Sequence, residues 1–140
     1  MSLRSIPARR RLIRIVMPMK AISERPLHHD EVDVIRWMLQ HASTRGTLNH
    51  LVPSLASLRA VGACECGCPS IDFVSQEETV GSAPVAEALG TSPEGVDVGL
   101  LLWAKGDAIV GFELYDFGDG VPFSLPRIDT LRPFPEHGKA

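Results

Sequence analysis

All three cysteines of the 140-residue chain fall within five positions, in the run Cys64-Glu65-Cys66-Gly67-Cys68. Thiols this close together can bind one metal ion as thiolates, form and exchange disulfides, or fill a tight turn as small apolar groups. These chemistries lead to different functions. The cysteine cluster, defined as Cys64, Cys66 and Cys68, is therefore the first candidate site.

A metal interpretation of the cysteine cluster needs a bend in the backbone and a ligand from outside the run. Structural zinc takes four ligands at roughly 2.0 to 2.3 Å, whereas alternate residues on a straight strand place neighbouring thiols roughly 6.6 Å apart. Gly67 and Pro69 favour the bend, because glycine reaches positive φ and proline fixes its own φ. His50 is the candidate fourth ligand, and zinc is the expected ion.

Two other interpretations of the cysteine cluster stay open. A redox role requires a thiolate of lowered pKa with a second thiol in reach, and Glu65 opposes it because a neighbouring carboxylate raises a thiol pKa. A purely structural role makes Cys68 the most constrained of the three, since Pro69 pushes it towards an extended backbone at the start of a strand. The common nucleotide, metalloprotease and hydrolase motifs are absent from the sequence, so no catalytic or cofactor-binding residue is assigned.

Positive charge is concentrated at the N-terminus, where residues 1–25 carry seven Arg or Lys and one Glu, although the whole chain has a net charge of −3. Clustered cations suit nucleic acids and anionic lipids, but the segment also fits an extension that precedes a domain. We expect residues 1–20 to be a basic leader that is disordered or outside the domain. Residues 21–132 then form a single domain and residues 133–140 a C-terminal tail.

The composition is that of a soluble globular protein, with 44% hydrophobic and 22% charged residues. No apolar run reaches the ~18 residues of a membrane span, and three closely spaced cysteines do not form a secreted disulfide framework. We therefore expect a cytoplasmic protein with no membrane partner. Nucleic-acid binding is not expected apart from the basic leader.

The hydrophobic pattern predicts one helix and about five strands. Val34, Ile35, Met38 and Leu39 recur at helical spacing, which predicts a helix over residues 30–42. The predicted strands cover residues 55–63, 70–74, 84–90, 96–104 and 108–117, with a hairpin around the cysteines and another at 105–107. The strand at 96–104 is apolar on both faces and should be central, or covered on both sides. The predicted fold class is α+β, with one main N-terminal helix packed on a mostly antiparallel sheet of about five strands.

A sequence motif adds a resemblance. The run Cys66-Gly67-Cys68-Pro69-Ser70-Ile71-Asp72-Phe73, with the later segments 110–115 and 125–131, resembles a group of short uncharacterised bacterial proteins that carry a Cys-Gly-Cys-Pro-Ser motif. The resemblance covers roughly residues 27–131. It implies one domain in a bacterial cytoplasm, and it brings no established activity.

The functional expectation is a small non-enzymatic binding or regulatory module of the bacterial cytoplasm, with a protein partner on its acidic surface. This expectation depends on the lack of a convergent catalytic set. Two alternatives remain: a zinc-binding domain that uses Cys64, Cys66 and Cys68, and a thiol-dependent redox protein. The sequence does not decide among the three.

Overall fold

Seven β-strands form one antiparallel sheet in the part of the chain that the computed structural model describes, residues 18–118 and 120–135. The strands are β1 (Met19–Pro26), β2 (Arg59–Cys64), β3 (Ile71–Asp72), β4 (Ala83–Thr91), β5 (Asp97–Lys105), β6 (Ala108–Asp116) and β7 (Arg132–Pro133). Their spatial order is β1-β2-β3-β6-β5-β4-β7. Helix α1 covers His29–His41, and 3-10 helices cover Asn49–Ser57, Gln76–Thr79 and Ile128–Thr130.

The predicted fold class is wrong. The described part of the chain is mostly a seven-stranded antiparallel sheet with short helices, not one main helix on a sheet of about five strands. The two strands that the sequence missed, β1 and β7, are the edge strands, and each ends in a proline. Edge strands tolerate proline and need no alternating apolar pattern. The predicted strand at residues 55–63 also begins with a 3-10 helix, and its strand starts only at Arg59.

Helix α1 agrees with its predicted position and carries one side of the core. Its buried residues Val34, Ile35, Met38 and Leu39 pack in the same cluster as Leu100 of β5. At its start the Glu31 carboxylate accepts a hydrogen bond from the His28 amide at 2.7 Å and two from the Arg25 guanidinium, each at 3.0 Å. Burial alone raises the pKa of Glu31, but the hydrogen bonds from Arg25 and His28 outweigh it and lower that pKa.

Strand β5 is an interior strand of the sheet and is buried on both of its faces, which confirms the prediction that it is covered on both sides. Leu100 and Leu102 contact the cluster that contains α1, whereas Leu101 and Trp103 belong to a second cluster on the other face of the sheet. A tight turn joins β5 to β6, with Gly106 at a φ of 63°. The predicted hairpin at residues 105–107 is thus confirmed.

The predicted chain ends are only partly covered by the structure. Residues 1–17 of the predicted leader and residues 136–140 of the predicted tail lie outside the described residues. Met19 and Lys20, which the sequence placed in the leader, pair in β1 with Cys64 and Ala63. At the other end, β7 pairs with β4. No helix in the described residues is long and apolar enough to cross a membrane.

Candidate metal centre

The cysteine cluster lies on the turn between β2 and β3. Strand β2 ends at Cys64, and β3 begins at Ile71 as its antiparallel partner. The Gly67 amide donates to the Cys64 carbonyl at 3.1 Å, and Gly67 has a φ of 90°, which only glycine adopts readily. The predicted hairpin around the cysteines is therefore confirmed, and its bend is at the predicted glycine.

This turn brings the three sulfur atoms together. All three Sγ atoms lie within 4.8 Å of one another, and those of Cys64 and Cys66 are 3.0 Å apart. Tetrahedral zinc with a Zn–S distance near 2.3 Å requires sulfur atoms about 3.8 Å apart. The observed spacing is close to that value, and far below the spacing on a straight strand. The cluster is close enough to bind a metal ion.

The thiol pKa values of Cys64 and Cys66 are shifted in opposite directions. Cys64 is buried, and burial together with its hydrogen bond to Cys66 raises the pKa of its thiol to about 12. Cys66 is exposed at the turn. Partial burial there raises its pKa, but hydrogen bonds from the Cys64 thiol and the Cys68 amide lower it below its ordinary value. The Cys68 amide lies 3.4 Å from the Cys66 Sγ atom, so the negative charge forms on Cys66 before it forms on Cys64.

Cys68 is half-buried and is held by Ser70. Its thiol donates to the Ser70 Oγ atom at 3.3 Å, and that hydroxyl donates to the Leu114 carbonyl of β6 at 3.2 Å. The Leu114 amide donates back to the same hydroxyl at 2.8 Å. Sequence reasoning gave Ser70 no role and made Cys68 the most constrained thiol, whereas the most buried one is Cys64. The sequence signal that could have identified Ser70 is a small hydroxyl residue just after the cysteine run.

A cleft of about 470 Å³ opens beside the cysteine cluster. Its other walls are Pro18, the end of β6 at residues 114–116, and the segment 120–123. The Asp116 carboxylate accepts hydrogen bonds from the amides of Gly118 at 3.4 Å and Gly120 at 2.9 Å, which connects β6 to that segment. The cleft thus gives access to the cysteines, and Asp116 supplies the one carboxylate among the described residues that line it.

The structure does not bring His50 to the cysteine cluster. Its Nε2 atom lies 3.4 Å from the Asp107 carboxylate, at the turn that precedes β6. The cluster is connected instead to Leu114, near the opposite end of β6. Seven residues of an extended strand separate these two places by roughly 20 Å. Among the described residues, the potential ligand group at the turn comprises the three cysteines.

Comparisons with protein-family models, with curated proteins and with solved structures found no significant match for this chain. The cysteine cluster itself therefore carries the functional assignment.

Proposed function

We propose that the protein binds a thiophilic metal ion, zinc in the first instance, through Cys64, Cys66 and Cys68. The observation that carries this proposal is the convergence of three sulfur atoms to within 4.8 Å on one glycine turn. Thiolates are the ligands that zinc and other soft ions prefer. Three sulfur ligands leave one position of a tetrahedron for water or for a group that enters from the cleft.

The surroundings of the cysteine cluster favour binding over thiol catalysis. Of the described residues that line the cleft, none is histidine, lysine or arginine, and the single carboxylate is that of Asp116. A nucleophilic cysteine is normally activated by a cation or a base beside it. We infer a small binding or regulatory module in which the ion stabilises the β2–β3 turn or is itself the cargo.

Metal titration of the full chain tests this proposal. Zinc should bind with a stoichiometry of one, and cadmium should add ultraviolet thiolate absorption. The variants Cys64→Ser, Cys66→Ser and Cys68→Ser should each weaken zinc binding, because each removes a ligand of the same ion. His50→Ala is the matched control and should bind zinc as the wild type does. No binding at micromolar zinc, or an equal loss in His50→Ala, would refute the assignment.

A redox function is the second candidate, and the 3.0 Å distance between the sulfur atoms of Cys64 and Cys66 favours it. The Cys66 thiolate would attack a low-molecular-weight disulfide and release one thiolate. Cys64 would then lose its proton, attack the mixed disulfide and release the second thiol, which leaves a Cys64–Cys66 disulfide. Intact mass after treatment with oxidised glutathione tests this step. A stable glutathione adduct without the loss of two hydrogens would contradict it.

A further inference from the structure

A bound ion determines the net charge of the cysteine cluster. The described residues offer it three sulfur atoms, those of Cys64, Cys66 and Cys68. With every thiol deprotonated, a divalent ion such as zinc leaves one negative charge on the complex, whereas a trivalent ion leaves none. The preference of the site among thiophilic ions therefore depends on how well the surrounding residues support negative charge on the sulfur atoms.

The position of Cys64 disfavours negative charge. This residue is 6% exposed. Leu114, Val121 and Phe123 are among the apolar walls of the cleft beside the cluster. An ionised group that is buried against apolar side chains loses its hydration, and this loss costs free energy unless a cation or hydrogen-bond donors compensate it. A neutral complex avoids that cost.

The hydrogen bonds at Cys68 also favour a neutral complex. The Ser70 hydroxyl has one proton, which it donates to the Leu114 carbonyl at 3.2 Å. The hydroxyl oxygen therefore faces the Cys68 sulfur as an acceptor, at 3.3 Å. An anionic sulfur would meet an oxygen lone pair there, whereas a sulfur in a neutral covalent bond carries little charge. Cys66 differs, because its sulfur accepts a hydrogen bond from the Cys68 amide at 3.4 Å.

Trivalent arsenic meets these requirements of charge and shape. It bonds to three sulfur atoms in a trigonal pyramid, and a lone pair of electrons occupies the fourth direction. Its bond angles are only slightly larger than a right angle, so its sulfur atoms lie closer together than the about 3.8 Å of tetrahedral zinc. The sulfur atoms of Cys64 and Cys66 are 3.0 Å apart. Since the lone pair needs no ligand, the three cysteines complete the ligand set.

We propose that the cysteine cluster binds trivalent arsenic, supplied as arsenite, in preference to zinc. This inference rests on the proposed function of the cluster as a site for a thiophilic ion. At neutral pH arsenite is the uncharged arsenous acid, which condenses with the three thiols. Three As–O bonds break, three As–S bonds form, and each thiol proton leaves with a hydroxide as water. Arsenic stays trivalent, and the product is neutral.

Intact mass spectrometry and zinc release test the proposal in the full chain. The zinc-loaded protein receives one equivalent of sodium arsenite, and a chromogenic chelator records the released zinc against a sample without arsenite. The expected product has gained one arsenic atom and lost three hydrogens, and its zinc has been released. In Cys68→Ser only two thiols remain, so the bound arsenic should keep one hydroxide, which the mass shows directly.

The outcomes separate this inference from the proposed function. Zinc binding without displacement by arsenite would overturn the preference for arsenic and leave the thiophilic site intact. A wild-type product that keeps a hydroxide would overturn the three-sulfur complex. If the chain bound neither zinc nor arsenite, both proposals would fail.

A charge placed in the cleft tests the physical reason for the preference. Val121 lies on the cleft wall and is 48% exposed, whereas Val80 is 55% exposed and is not among the residues that line the cleft. Val121→Lys should tighten zinc binding about twofold or more, because its cation stabilises an anionic complex. It should change the affinity for arsenite less, because that complex is neutral. Val80→Lys is the matched control and should change neither affinity. An equal effect of Val121→Lys on both ions would refute the argument from charge.

Discussion

Replacement of Ser70 by alanine tests how the cysteine turn is fixed to the sheet. Ser70 is 1% exposed, and its hydroxyl bridges the β2–β3 turn to β6. The hydroxyl accepts hydrogen bonds from the Cys68 thiol and the Leu114 amide, and it donates one to the Leu114 carbonyl. Alanine removes all three contacts and changes the shape of the side chain little.

The expected loss of stability for Ser70→Ala is about 2 to 3 kcal/mol. The amide and the carbonyl of Leu114 both lose their hydrogen bond to Ser70, and a buried polar group left unsatisfied costs about 1 to 3 kcal/mol. The contact with the Cys68 thiol adds little, because sulfur is a weak donor. For a chain of this length the loss corresponds to a decrease of about 10 °C in Tm.

Urea unfolding, followed by tryptophan fluorescence in the absence of metal and with a chelator present, measures this loss. The matched control is Ser57→Ala, whose exposed hydroxyl donates to the Ser54 carbonyl at 3.0 Å and whose removal should cost about 0.5 kcal/mol or less. A decrease below about 0.5 kcal/mol in Ser70→Ala would refute the assigned role of this hydroxyl. A loss that only appears when zinc is added would show that Ser70 acts through the cysteines and does not support the metal-free fold.

The pH, the helix start and a glycine contact give three further predictions. Near neutrality the deprotonation of Cys64 alone should raise the apparent zinc affinity about tenfold per pH unit, because zinc displaces the proton of a thiol whose pKa is about 12. Calorimetry in two buffers would measure the released protons, and a pH-independent affinity would contradict this prediction. Glu31→Gln should lower the free energy of unfolding, measured with urea, by about 2 kcal/mol. Asp33→Asn is the control and should lower it by about 0.5 kcal/mol or less, because the ion pair of Asp33 with Arg36 is exposed whereas that of Glu31 is largely buried. Because the pKa of Glu31 is lowered in the folded protein, the stability that its carboxylate contributes is present at neutral pH and is lost on acidification. Equal losses of stability in Glu31→Gln and Asp33→Asn would contradict the role assigned to Glu31. Gly99→Ala should destabilise by about 1 to 3 kcal/mol, because its Cβ atom would lie 2.2 Å from the Tyr115 ring, and the penalty should largely vanish in a Tyr115→Ala background.

Local patterns in the sequence determined several parts of this protein. The apolar spacing of Val34, Ile35, Met38 and Leu39 predicted α1, because a helical stripe needs no information from the rest of the chain. The β5–β6 hairpin followed from its glycine turn, and the cysteine turn followed from Gly67. The potential metal ligands Cys64, Cys66 and Cys68 could be named for the same reason, since they are neighbours in sequence.

Only the tertiary structure decided which residues that are distant in the sequence lie close together in space. Strands β1 and β7 lack a strong pattern because each sits at an edge of the sheet, where one side needs no partner. The sheet order sends His50 to one end of β6 and the cysteines to the other, so a histidine fourteen residues before Cys64 in sequence is not beside it in space. The opposite pKa shifts of Cys64 and Cys66 likewise arise from burial and from hydrogen bonds that exist only after folding. Side-chain periodicity marks several interior strands, but strand order depends on non-local burial, and strand order sets the chemistry that each residue encounters.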